Sequence, residues 1–188
     1  MHRLGGVVLA SLVVAGLAAG CGSPWRVLLA SGPPAALHGV SPLRISFEDT
    51  GALLDGAPLD GVVAASSPTD AGAINDMILR IEENFLGEIE NNAGVPVERV
   101  MGPPGPDETR LVGHLILIER GANGPMGDGS RLVIRFEVYQ NGTLVDVAER
   151  DATLAPGVTR PSTVQRLTHL ATSYGRYAAR FYQQEQSR

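Results

Sequence analysis

Two residues constrain the fold more than any others. Asn141-Gly142 stands between two runs of alternating apolar and polar side chains, Arg131 to Gln140 and Thr143 to Thr153. An Asn-Gly pair suits the two positive-φ positions of a type I′ turn, whose twist matches that of paired strands. The spacing predicts a long antiparallel hairpin with Gln140 opposite Thr143. Carried along the strands, that register sets Val138 against Val145 and Phe136 against Val147 on the inner face. Glu137 then meets Asp146 on the outer face, with Arg135 on the diagonal to relieve the repulsion.

Other segments supply partners for this ribbon. Leu43-Arg44-Ile45-Ser46-Phe47-Glu48 alternates with period two and reads as a half-buried strand. Arg110 to Glu119 is apolar in both alternating sets, Leu111/Leu115/Leu117 and Val112/Ile116/Ile118, as expected of a central strand covered on both faces. Val95 to Met101 reads as a strand that Pro96 places at a start or an edge. Val62-Val63-Ala64-Ala65, inside a Gly-, Pro- and Asp-rich stretch from Asp49 to Ser67, reads as a short one.

Two segments are helical. From Ala71 to Asn92, residues Ile74, Ile78, Ile81, Phe85 and Ile89 share one face, with Asp76, Glu83 and Glu90 on the opposite, solvated one. Thr69 or Asp70 caps the start, and Asn91-Asn92 with Gly94 ends it. The last helix opens at Ser162, and Gln165 completes a capping box. Leu167, Leu170, Ala171, Tyr174, Ala178 and Phe181 form its buried face; Arg166, His169, Ser173, Arg176 and Arg180 form a polar stripe. Placed flank to flank, the two helices pair Arg176 with Glu83. The expected class is α+β, a single domain over residues 43–186 with an antiparallel or mixed sheet of four to six strands and two helices packed on it.

The first 20 residues belong to no such layer. After the terminal amine and Arg3, the stretch Leu4 to Ala19 has no charge and stops just short of Cys21, the one cysteine. That is the pattern of a secretory signal, too short and too Gly-rich for a membrane span. Leu17-Ala18-Ala19-Gly20-Cys21 resembles the lipobox of bacterial lipoproteins. The resemblance implies that residues 1–20 are a signal peptide cut before Cys21, and that Cys21 is the lipid-attachment site. Its thiol takes a diacylglycerol and its new amine an acyl chain such as palmitate. Gly22 is not an inner-membrane retention signal by the Gram-negative sorting rule, so the implied location is the outer membrane, facing the periplasm. Residues 21–42, with Pro24, Pro33, Pro34 and Pro42, read as a flexible tether. Within it, Trp25 suits a membrane interface, and Val27-Leu28-Leu29-Ala30 is an apolar island facing either the membrane or the domain.

A second resemblance covers most of the domain. The long helix, the Leu111-Val112-Gly113-His114-Leu115 strand, the Gly-rich hairpin and the Arg131-Leu132-Val133-Ile134 strand resemble small envelope lipoproteins. Their fold is similar to the N-terminal domain of the translocation protein TolB and to periplasmic domains of curli-secretion and penicillin-binding-protein-activator lipoproteins. A protein-binding envelope module is implied, with no catalytic residues to carry across.

Composition narrows the chemistry. All 15 basic residues are arginine. Without lysine there is no Walker-type phosphate loop, Schiff base or Ser/Lys nucleophile pair. One cysteine excludes an internal disulfide and a Cys-rich metal site. Loss of Arg3 with the signal takes the net charge from −5 to −6, which disfavours nucleic acid as a partner.

The Gly-rich segment Gly121 to Gly129 joins two strands, whereas a dinucleotide fingerprint joins a strand to a helix. Asn123 and Asp128 offer too few oxygens for calcium. The segment reads as a mobile surface loop, with Gly124, Met126 and Asp128 as candidate partner contacts. Tyr177 and Tyr182, on the margins of the last helix, are a second candidate patch. His114 falls mid-strand and His169 among arginines, and no HExxH or Gly-x-Ser-x-Gly spacing occurs. The expectation is a non-enzymatic accessory lipoprotein with no metal and no cofactor, bound to an envelope protein. One alternative is a lipid- or ligand-binding auxiliary lipoprotein of a transport system, which needs an apolar cavity between sheet and helices. Another is a small hydrolase, which needs a polar cluster around His114 or His169.

Overall fold

Asn141 and Gly142 adopt φ values of 51° and 69°, and the hairpin they close forms two neighbouring strands of a mixed sheet. A computed structural model describes residues 26–30, 37–124 and 127–186. Cys21, Trp25 and Met126 lie outside the described residues. The elements run β1 (Arg26–Ala30), β2 (Leu43–Glu48), β3 (Leu53–Leu54), β4 (Ala57–Pro58), α1 (Leu59–Ala65), α2 (Pro68–Asn92), β5 (Val97–Arg99), β6 (Arg110–Glu119), β7 (Ser130–Gln140), β8 (Thr143–Leu154) and α3 (Thr163–Gln186). The strand order is β1-β8-β7-β6-β2-β5, with β3 on β6 and β4 on β3. Strand β2 is parallel to both neighbours, and β6, β7, β8 and β1 pair antiparallel. The α+β class with a mixed sheet holds; the described residues form eight strands and three helices, more than the four to six and two expected.

Two β-bulges change the faces that period-two counting assigns. In the hairpin, Gln140 opposes Thr143 as expected, but the register shifts after Tyr139, so Val138 meets Asp146, Phe136 meets Ala148, and Glu137 meets Val147. The expected Glu137–Asp146 repulsion is thereby avoided, and Arg135 falls opposite Glu149. In β6 the register shifts between Leu115 and Leu117. Leu111, Leu115 and Ile118 therefore enter the core while Leu117 is only half-buried. An extra residue in one strand flips every side chain beyond it to the other face.

Three boundaries also differ. Val62–Ala65 is helical within α1, where the Leu59 N–H bonds the Ala52 carbonyl and the Ser66 hydroxyl bonds the Val62 carbonyl. Helix α2 starts at Pro68 and is capped by Ser67, whose Oγ accepts from the Asp70 N–H at 3.2 Å. Proline fits that first position because its missing N–H would have no helical partner. In the segment read as a tether, residues 21–42, described residues lie against the domain. Its apolar island pairs with β8 as β1, Leu37 is fully buried, and the Tyr182 hydroxyl and Gln186 amide of α3 donate to the carbonyls of Val40 and Leu37.

Helices α2 and α3 lie together on one face of the sheet, and Phe85 sits where they meet it. Its ring packs 5.7 Å from Phe47 and over Gly113 of β6, where a Cβ would come within 2.6 Å of it. On the other side the Phe85 carbonyl faces Gly175 of α3, where an added Cβ would strike that oxygen and sit 2.8 Å from the Glu88 Cβ. Glycine at 113 and 175 thus sets how closely the layers approach. Around Phe85 the core is Ile81, Ile89, Ile45, Leu111, Phe136 and Tyr174. The Tyr174 hydroxyl donates to the Leu132 carbonyl at 2.9 Å, and Phe181 meets Phe136 edge to face at 5.3 Å.

The charged flanks of the helices are paired rather than merely solvated. Arg176 binds Glu88 at 2.8 Å, not the expected Glu83. Glu83 and Glu90 instead hold Arg99 of β5, at 2.9 and 2.6 Å, tying the edge strand to α2.

Substituting two helical glycines should separate close packing from helix propensity. Gly175→Ala is expected to cost about 1–3 kcal/mol by overpacking. Gly87→Ala, with open space around an added Cβ, should gain about 0.5–1 kcal/mol. Urea unfolding midpoints of the two variants check the opposite signs.

Candidate functional site

The helices cover one face of the sheet, and the alternate residues of each strand carry charge across the other. Arg26 of β1 binds Glu149 of β8 at 2.7 Å, and Glu149 also accepts from Arg135 of β7 at 3.1 Å. Further along, Arg131 of β7 bridges Asp151 of β8 at 2.7 Å and Glu119 of β6 at 3.3 Å. Beside this ladder, His114 of β6 lies between two carboxylates, its Nε2 3.1 Å from Glu137 and its Nδ1 3.7 Å from Glu48. The Tyr139 hydroxyl donates to the same Glu137 oxygen at 2.8 Å.

The electrostatics follow from this geometry. The hydrogen bond that His114 donates to Glu137, set against partial burial, holds the imidazole above its ordinary value of 6.5. The same bond, joined by the one from Tyr139, holds Glu137 below the usual carboxylate range. Burial, with the adjacent Glu137 carboxylate, pushes the Tyr139 phenol up to about 12. His114 thus sits between two carboxylates, with Arg135 across the strand opposing the upward shift. Among the described residues no serine, threonine or cysteine hydrogen-bonds to His114.

Past Glu48 the sheet edge turns into a groove of about 530 Å³ between β2 and α2. Strand β5 pairs with β2 only from Leu43 to Ile45, and the ladder closes with the Val100 N–H on the Ile45 carbonyl. Ser46 to Glu48 therefore carry a neighbour, β6, on one side only. Phe47, Leu79, Leu86 and Met101 line the groove, together with Glu48, Glu82 and Glu83. Sequence reading passed over this edge. Its one signal was the mismatch between a six-residue β2 and a Pro96-started neighbour of three.

Ala122 to Gly124 of the Gly-rich segment are held at the start of α3, in part by a residue assigned to the polar stripe. Arg166 is fully buried. Its Nε donates to the Ser130 hydroxyl at 2.9 Å, one Nη to the carbonyls of Pro161 and Arg160 at 2.9 and 3.4 Å, and the other to the Ala122 carbonyl and Thr163 hydroxyl at 2.7 and 3.4 Å. Asn123 accepts from the Thr163 N–H at 3.0 Å, so the loop caps α3 from outside it. The Ser162–Gln165 capping box forms beside it as expected.

The sequence-nominated contacts therefore divide. Gly124 is half-buried and donates its N–H to the Pro161 carbonyl at 3.1 Å. Asp128 is exposed, and its carbonyl accepts from Ala122. Tyr177 is half-exposed with Arg150 stacked 4.2 Å from its ring centroid. Tyr182 is fully buried against Val40 and cannot be a surface contact, because the segment after β1 covers the margin of α3 on which it lies.

What the fold and site define is an α+β layer with helices on one face and a charged, edge-open sheet on the other. No family model matches the chain, and no curated protein does. Among solved structures it is similar to two of the PelC dodecamer from Paraburkholderia phytofirmans. One, of a point variant, is 18% identical with a TM-score of 0.40, covering 81% of this chain and 95% of that one. The other is 17% identical with a TM-score of 0.42, covering 81% and 96%. A third, an uncharacterised protein, is 11% identical with a TM-score of 0.37, covering 74% and 91%. These are distant likenesses in sequence and in shape.

Removing the clamp should cost more than a surface charge would. Arg166→Met, which leaves buried oxygens unpartnered, is expected to lose about 2–3 kcal/mol and to speed amide exchange at Gly124 and Thr163, measured by urea unfolding and hydrogen exchange. The His114 pairing should give a pH signature. A raised histidine value stabilises the fold fully below 6.5 and loses that stability as pH climbs through the folded value. The lowered Glu137 stabilises above its ordinary 4.5 and is lost on acidification. The stability difference between the native chain and His114→Gln should therefore be largest between these two limits and shrink on the alkaline side; a difference flat with pH would contradict the pairing.

Proposed function

We propose that this chain is a membrane-anchored envelope lipoprotein, held by acyl chains on Cys21, whose folded body is a non-enzymatic protein-binding module at the periplasmic face of the outer membrane. One observation carries the reading: an uncharged run from Leu4 to Ala19 leads through Leu17-Ala18-Ala19-Gly20 to the sole cysteine. The start of β1 at Arg26 supports it. Five residues extend at most about 17 Å, so an anchored Cys21 keeps the β1 edge of the sheet close to the bilayer.

The body favours binding over its alternatives. A lipid carrier needs room between sheet and helices, and that space is filled by Phe85, Ile81, Leu111 and Tyr174. A hydrolase built on a serine or cysteine needs that nucleophile in reach of a base, and the groups facing His114 are Glu48, Glu137 and Arg135. What the sheet offers instead is an open strand edge and a charged face.

Anchoring rests on the sulfur. Each buried acyl CH₂ contributes about 0.8 kcal/mol, and two chains already give stable attachment. In bacterial cells Cys21→Ala should abolish labelling by a palmitate analogue and move the chain from the membrane pellet to the soluble fraction. A Cys21→Ala chain that still pellets after a carbonate wash would overturn the lipoprotein reading.

A further inference from the structure

We infer that the groove between β2 and α2 binds a short extended peptide segment carrying a basic side chain, its backbone laid along the free edge of Phe47 and its cation facing Glu82. The inference rests on the binding-module reading and names the surface and the chemistry of the partner.

Three independent features converge there. The first is backbone. Alternate residues of a strand turn their N–H and C=O to the same side. Leu43 and Ile45 turn theirs to β5, so Phe47, next in the series, turns its pair to the side where β5 has ended. An exposed sheet edge of this kind recruits extended peptides, with main-chain bonds supplying affinity and neighbouring pockets supplying selectivity.

The second is apolar surface. Leu79 on α2 is 53% exposed and Met101, just past β5, is 98% exposed, and both line the groove with Phe47 and Leu86.

The third is charge. Glu48, Glu82 and Glu83 face the groove with one cation among them, Arg99, which is engaged by Glu83 and Glu90. Glu82 is half-buried and has no ion pair among the described residues, and burial beside Glu83 holds its carboxyl above the usual range. A cation arriving at Glu82 relieves both the desolvation and the repulsion, whereas an acidic side chain adds to them.

Position suits the task. In the order β1-β8-β7-β6-β2-β5 the groove lies four strand spacings from β1, on the order of 20 Å. An anchor attached just before β1 therefore leaves this edge open to the periplasm.

The test uses the whole mature chain in phospholipid nanodiscs and two fluorescein-labelled, capped heptapeptides that alternate Val and Thr around a central Arg or a central Glu. Anisotropy should show saturable binding of the Arg peptide, about tenfold tighter than the Glu peptide. Glu82→Gln should shrink that preference, and exposed-site Leu79→Asp should abolish binding, with circular dichroism confirming that each variant is folded. Hydrogen exchange at Phe47 to Thr50 should slow with the Arg peptide bound. Equal affinity for the two peptides, binding that survives Leu79→Asp, or unchanged exchange at Phe47 overturns the groove. Its failure is separable from failure of the binding-module reading: photo-crosslinkers at Met101 and at Tyr177 in cells report each face, and capture of an envelope protein at Tyr177 alone removes the groove while keeping the module.

Discussion

The Arg166 guanidinium has five N–H groups and is sealed from water, so five oxygens must be brought to it or the fold carries an unsatisfied buried charge. Such a charge costs several kcal/mol. Its partners come from three places distant in sequence: Ala122 in the Gly-rich loop, Ser130 at the start of β7, and Arg160, Pro161 and Thr163 at the entry to α3. None is a carboxylate. Among the described residues the cation is solvated by these dipoles, which fix where α3 begins on the sheet. Once that entry is set, Tyr174, Gly175 and Tyr182 follow at helical spacing onto Leu132, Phe85 and Val40.

The lysine-free composition gains a structural meaning from this. A lysine ammonium offers three donors from one point, whereas a guanidinium offers five in a planar fork. Arg166 uses all five. Elsewhere the same fork bridges pairs of acids, as Arg99 of β5 does for Glu83 and Glu90 of α2, and Arg131 of β7 does for Asp151 of β8 and Glu119 of β6. The exclusions drawn from absent lysine limit chemistry, and the arginines that remain organise the layers.

Much of the scaffold was legible because its signals are local. Asn141-Gly142, the Ser162–Gln165 box and the apolar run Arg110 to Glu119 each announced an element that formed where expected. The register shifts between Val138 and Tyr139 and between Leu115 and Leu117 left no mark in composition, and each carried period-two counting onto the wrong face. Asp55-Gly56 closes a hairpin by the same chemistry as Asn141-Gly142, with φ values of 50° and 83°, yet its strands are two residues each and give no alternation to read. Arg166 and Tyr182 were misplaced for a different reason. A helical wheel gives the buried arc that one sheet would cover, and α3 is covered by the loop and the Leu37–Val40 segment as well. The groove at β2 was illegible for the plainest reason: it exists because β5 stops, and strand endings are where sequence patterns are weakest.

The proposed arrangement gives each edge of the sheet a separate task, with β1 beside the lipid and β2 presented outward. Both depend on Cys21 being the first residue of the mature chain. Mass spectrometry of the protein extracted from bacterial membranes tests that most directly. The expected N-terminal peptide starts at Cys21 and carries a diacylglyceryl thioether and an acylated amine. A peptide retaining Leu17 to Gly20 ahead of an unmodified Cys21 would contradict it.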